Sequence, residues 1–75
     1  MYNSQEIADR IKDRAKQRNI TVGEMLSACG LGKNTVVKIG KGTDILTLNF
    51  VKMADFLDCS VDYLLGRTDN PDVNK

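Results

Sequence analysis

Apolar residues in this chain recur three and four positions apart, and no stretch alternates long enough to be a strand. Ile7, Ile11 and Ala15 lie four apart and predict an amphipathic first helix. Its start falls near Asn3 or Ser4, either of which can cap, and Glu6 stands three residues after Asn3 as a capping-box partner. Asn19 tolerates the left-handed conformation that ends a helix. Thr21 with Glu24 forms a second capping box and opens a helix over 22–29, with Met25, Leu26 and Cys29 as its apolar face. Gly30 ends it, because a tight interhelical turn wants positive φ, and Leu31 is the expected buried residue of the turn. A third helix is expected from about Lys33 to Ile39, with Gly40 and Gly42 as stop signals and 42–44 as a loop. Thr47 is the expected cap of a fourth helix. Its apolar positions are Leu48, Val51, Met53, Ala54 and Leu57, with Phe50 beside them. Ser60 caps a short fifth helix, Val61 to Leu65, which Gly66 ends. The expected fold is all-α: a compact bundle of about five helices over 1–66, followed by an exposed tail, 67–75.

Seventy-five residues make one domain with a thin core, since a chain this short buries only about 60% of its unfolded surface. No apolar run approaches the roughly 20 residues that span a bilayer. The first ten residues lack the basic-then-apolar form of a signal peptide, so a cytoplasmic protein is expected.

The net charge of +1 hides a separation. Nine basic and three acidic residues lie between Arg10 and Lys52, a balance of +6. Two basic and five acidic residues follow from Asp55 onward, and Glu6 and Asp9 precede. A basic middle with acidic ends fits a polyanion-binding face on a near-neutral protein. Ordinary solvated helix faces give the same pattern, so charge alone does not decide.

Cys29 and Cys59 are the only cysteines, both at apolar positions, and there is no histidine. Buried reduced thiols are expected rather than a disulfide or a metal site, since zinc wants four clustered ligands. There is no paired carboxylate in a plausible cleft and no Gly-rich phosphate loop. Ser60-Val61-Asp62 is explained as a cap with a first-turn acid. The expectation is a non-enzyme with no cofactor and no evident small-molecule ligand.

The candidate chemistry lies in TVGEMLSACGLGKNTVVKIGKG, residues 21–42. Two short helices join at Gly30, and the second is expected to show Lys33, Asn34, Val37 and Lys38 on one face and Val36 and Ile39 on the other. Together with IKDRAKQRNIT before it and DFLDCSVDYLLGRTDNP after it, the segment makes residues 7–66 resemble the lambda-repressor/Cro-like (XRE-type) helix-turn-helix domain of bacterial and phage transcription regulators. The SVDYLLG run is the more specific part of the match.

The resemblance implies that helix 3 enters the DNA major groove while helix 2 lies across the backbone. It places Lys33, Asn34, Val37 and Lys38 at the base edges: lysine on guanine O6/N7, asparagine on adenine N6/N7, valine on a thymine methyl. Thr21, Lys41 and Thr43 fall where the family contacts phosphates. Each also has a plain reading: solvated lysines, a helix-start asparagine, a surface valine. The implied function is a sequence-specific double-stranded DNA-binding transcriptional regulator, a repressor or Cro-like protein, acting as a homodimer on a two-fold site. The alternative is a protein-interaction module on the same scaffold, antitoxin-like or anti-repressor.

Several positions depart from the family pattern. Val22 replaces a phosphate-binding Gln, and Gly32 a Ser or Thr cap. Leu26 replaces Ala, so the two helices are expected to be splayed or repacked. Asp58 stands at a common Gly cap. Arg14 replaces a core Leu, which predicts a stem along the core edge and a head in water. Ala15 and Gly40 together replace an Arg–Glu ion pair. Losing both partners strands no charge, so helix 1 is expected still to pack on the end of helix 3.

Overall fold

The structure is a computed structural model and describes residues 3–42 and 46–72. Within them the chain forms five helices: α1 (Ser4–Gln17), α2 (Val22–Ala28), α3 (Thr35–Gly40), α4 (Thr47–Phe56) and α5 (Val61–Leu65). No strand occurs among the described residues, so the expected all-α fold is observed.

The helix starts follow from their caps. The Asn3 side chain accepts from the N–H groups of Gln5 and Glu6 at 2.9 and 3.2 Å. Thr21 and Glu24 close the capping box in both directions. Ser60 Oγ accepts from the Tyr63 N–H at 3.0 Å. Each bond satisfies a donor that the first turn of a helix leaves unpaired. The helix ends share one device, a left-handed residue after the last turn. Asn19 takes that place after α1, Gly30 after α2, Gly42 after α3, Asp58 after α4 and Gly66 after α5. After α1, α2, α4 and α5 the following N–H reaches back five residues: Ile20 to Ala15, Leu31 to Leu26, Cys59 to Ala54 and Arg67 to Asp62. Asp58 adopts φ 53°, so the departure from glycine there leaves the motif intact.

The core is Ala8, Ile11 and Ala15 from α1, Met25 and Leu26 from α2, Val36 and Ile39 from α3, Phe50, Met53, Ala54 and Leu57 around α4, Cys59, and Leu64 from α5. No polar or charged residue among those described is buried with them. α1 is the hub: it packs on α2, α3 and α5, while α4 joins α2 to α5. α2 and α3 are not among the closely approaching pairs. Leu26 is buried in the core. α1 does pack on the end of α3. A Cβ on Gly40 would lie 3.0 Å from Gln5 Oε1 and 3.4 Å from Ala8 Cβ, so Gln5 and Ala8 are the residues that meet it.

Three local expectations are corrected. α3 begins at Thr35, not Lys33. The Thr35 N–H and Oγ1 both bond the Gly32 carbonyl, at 3.1 and 2.6 Å, which holds 32–35 as a turn. Thr47 does not cap α4: Leu46 holds the cap position, without a side-chain bond, and Thr47 is the first helical residue. The apolar face of α4 is also rotated. Phe50, Met53, Ala54 and Leu57, at i, i+3, i+4 and i+7, are buried, whereas Leu48 is 74% exposed. The segment after Gly66 runs back along the bundle, with the Ser60 N–H donating to the Pro71 carbonyl at 3.0 Å.

Candidate nucleic-acid interface

Helical geometry sorts the residues of α3. Val36 and Ile39 are buried, and Gly40 is half-buried against α1. The opposite face consists of Asn34, Val37, Lys38 and Lys41, at i, i+3, i+4 and i+7, and all four are exposed. Val37 is 52% exposed and is not one of the core residues. Lys41 was expected to serve phosphates rather than bases; the structure puts it in line with the expected base-contacting residues, one turn beyond Val37 and Lys38.

Lys33 and Asn34 are also exposed, but they lie in the turn before α3 rather than on the helix. Asn34 occupies the N-cap position, yet its side chain makes no capping bond. Its amide therefore keeps two donors and an acceptor for an external partner. Thr21 is exposed at the start of α2, where its oxygen accepts from the Glu24 N–H; the hydroxyl proton remains available to donate. Thr43 lies outside the described residues. Val22 is half-buried against the core, and its apolar side chain offers no polar contact.

The cations of the basic segment divide by residue type. Among the described residues, Lys33, Lys38 and Lys41 enter no ion pair or side-chain hydrogen bond. The arginines of the first helical segment are all engaged. Arg10 donates from Nε to the Tyr63 carbonyl at 2.6 Å and from Nη2 to the Thr68 carbonyl at 2.8 Å. Its guanidinium lies 4.7 Å from the centre of the Tyr63 ring, and Asp69 stands 3.6 Å away. Arg14 donates to the carbonyls of Leu57 and Asp58 at 3.0 and 2.8 Å, and to Gln17 Oε1 at 3.1 Å. This corrects the expectation that its head lies in water. Arg18 pairs with Asp58 at 3.8 Å. Part of the positive charge between residues 10 and 52 thus serves the fold, and the lysines around α3, like the exposed Lys12, Lys16 and Lys52, are presented outward.

The remaining surface offers less. An open groove of about 430 Å³ is lined by Ala28, Cys29, Lys52, Asp55 and Phe56. Burial pushes the Cys29 thiol above its usual range, with Lys52 pulling in the opposite direction. Both cysteines are free. Among the described residues no three His, Cys, Asp or Glu side chains cluster to hold a metal, and no helix is long and apolar enough to cross a membrane. Leu46 and Leu48 are each 74% exposed, which the periodicity of α4 had hidden by assigning Leu48 to the core.

Comparison with known proteins yields no matching family model, no matching curated protein and no matching solved structure.

Proposed function

We propose that this chain is a sequence-specific double-stranded DNA-binding regulator that reads the major groove with the outer face of α3 and the turn before it. One observation carries the reading. Asn34, Val37, Lys38 and Lys41 form a continuous exposed face opposite the buried Val36 and Ile39, with Lys33 beside it, and its lysines enter no ion pair among the described residues. A cationic helix face bearing one amide and one apolar group matches the donor, acceptor and methyl pattern of the major groove. Thr21 and Lys41 take the phosphate role, and a two-fold site with a homodimer supplies the specificity that one short helix lacks.

The test is a selection of bound duplexes from a random pool, followed by a salt titration. A regulator enriches an inverted repeat, and its log K falls linearly with log[salt], with a slope of about −0.9 per phosphate neutralised. An unenriched pool and no affinity at low salt would sink the reading. They would favour instead a protein-interaction module, for which the exposure of Leu46 and Leu48 is the supporting observation.

A further inference from the structure

We infer that the exposed face of α4, with the groove beside it, docks a second copy of this chain about a two-fold axis, so that Lys52 of each protomer meets the partner's Asp55. The need for a homodimer rests on the proposed DNA-binding reading, whereas the test contains no DNA, so the two can fail separately.

α4 packs on α2 and α5 and turns Phe50, Met53, Ala54 and Leu57 into the core. Leu48, Lys52, Asp55 and Phe56, at i, i+4, i+7 and i+8, are exposed on the opposite side. Lys52, Asp55 and Phe56 also line the open groove of about 430 Å³, against Ala28 and Cys29 at the end of α2. Leu48 and Phe56 belong neither to the core nor to the apolar residues packed against it. Two large apolar side chains on one helix face, beside a concavity, mark a surface that another molecule covers.

The charges between them select the occupant. The face carries one cation and one anion, and among the described residues neither enters an ion pair or a side-chain hydrogen bond. A pair within the helix would place the lysine before its acid, the weaker order. A strongly acidic or strongly basic partner would set a like charge against one of the two. A copy of the same face satisfies both. With the helices antiparallel about an axis between Lys52 and Asp55, each Lys52 faces the partner's Asp55, and Leu48 comes opposite the partner's Phe56. Such an isologous contact uses every pairing twice and closes at two copies. None of these residues lies on α3 or in the turn before it.

Sedimentation equilibrium of the full chain over roughly 1 µM to 1 mM tests the contact, since a single helix face belongs to the small, weak class of interfaces. The wild type should pass from one chain to two. Lys52→Asp and Asp55→Lys, both at exposed positions and checked for helicity by circular dichroism, set like charges against each other. Each should weaken self-association at least about tenfold. Mixed in equal amounts, the two variants should associate about as tightly as wild type, and so should the double variant Lys52→Asp/Asp55→Lys alone. Mixing does not rescue a folding defect. Cys29 reports on the groove, because the other thiol, Cys59, is only 2% exposed. Its reaction with an aromatic disulfide reagent should slow severalfold as the dimer forms. A wild type that stays monomeric throughout overturns the inference. So does a dimer that neither single variant weakens, or weakened variants that do not associate when mixed. A dimer that behaves as expected but binds no duplex supports the inference and sinks the DNA-binding reading alone.

Discussion

Arg14 closes the C-terminus of α4 through Leu57, its Nε donating to the Leu57 carbonyl at 3.0 Å while Nη2 reaches the Asp58 carbonyl at 2.8 Å. The left-handed turn at Asp58 pairs the N–H groups of Asp58 and Cys59 with Asp55 and Ala54, but the Leu57 and Asp58 carbonyls find no backbone donor. A planar guanidinium spans two such acceptors at once, and its charge suits the negative end of a helix.

Arg14→Ala should therefore destabilise the fold by about 1–2 kcal/mol, less than the full value of a charged hydrogen bond because the site is only half-buried. Arg14→Lys should recover less than half of that, since one ammonium on a flexible stem does not reproduce the fork. Urea unfolding followed by circular dichroism measures both. An Arg14→Ala midpoint equal to that of wild type would mean that water serves these carbonyls equally well.

Arg10 does the same for the end of α5 and adds a ring contact with Tyr63. It also ties down residues 67–72 through the Thr68 carbonyl and Asp69. Arg10→Ala should loosen that segment before it melts the helices. Amide exchange at 67–72 is expected to speed up more than tenfold while the helical signal is kept. Tyr63→Phe keeps the ring and should be nearly silent, whereas Tyr63→Leu should cost about 0.5–1 kcal/mol. Uniform acceleration of exchange across all helices in Arg10→Ala would show that the segment is not a separate unit.

These two arginines also mark where the sequence stops being legible. The caps at Asn3, Thr21 and Ser60 and the left-handed ends at Asn19, Gly30 and Gly66 are decided by near neighbours, and local reasoning finds them. Arg10 and Arg14 act on partners 43 to 58 positions away, and no periodicity registers that. The phase of α4 was ambiguous for another reason. Leu48, Phe50, Val51, Met53, Ala54 and Leu57 supply more apolar positions than one stripe holds, so only packing against α2 and α5 decides that Phe50 turns in and Leu48 out. In the candidate site, Val36 and Ile39 fixed the inner face of α3 by spacing alone. The displacement of Lys33 and Asn34 into a turn was not visible, because it depends on Thr35 bonding the Gly32 carbonyl.

Two glycines separate backbone need from close packing. Gly30 has φ 71° with open space where a Cβ would go, so Gly30→Ala meets no clash but forces an L-residue into the left-handed region. The expected cost is about 1–2 kcal/mol. Gly40 is helical, and a Cβ there meets first the amide of Gln5, the movable end of a long side chain that now bonds Asp9 at 3.0 Å. Gly40→Ala should lie within about 0.5 kcal/mol of wild type, because the helix-propensity gain offsets the displaced amide. Adding Gln5→Ala should make the same substitution clearly stabilising. Thermal midpoints of the four proteins check this. A Gly40→Ala loss that persists beside Gln5→Ala would identify the Ala8 contact, at 3.4 Å, as the true limit.

The buried thiol gives a pH dependence with a definite sign. Burial pushes the Cys59 thiol above its usual range, an effect the Arg14 guanidinium partly opposes and Asp58 adds to. The unfolded chain therefore loses this proton at lower pH than the folded one. Below the ordinary thiol range, about 8.5, both states are protonated and the group is neutral to stability. As pH rises through that value and on to the raised one, the folded state binds more protons than the unfolded, and stability falls. Cys59→Ala should carry a lower baseline stability but a shallower alkaline decline than wild type. Parallel declines in the two proteins would show that the thiol contributes nothing to it.

The division between arginines and lysines makes the sharpest prediction about binding. If the outward face of α3 meets DNA, Lys33, Lys38 and Lys41 release counterions on binding while Arg10 and Arg14 remain committed to backbone carbonyls. Lys41→Ala should reduce the salt slope by about 1 and weaken all duplexes alike if Lys41 meets a phosphate. Lys33→Ala and Lys38→Ala should relax the preference for the selected sequence by about 1–3 kcal/mol at the bases they face. Arg14→Ala, measured at a temperature where it is fully folded, should keep both the slope and the preference. Filter binding or fluorescence anisotropy over a range of salt concentrations reads both quantities. A slope that drops for Arg14→Ala and not for the lysine variants would place the polyanion on the α1 side of the molecule and remove α3 from the interface.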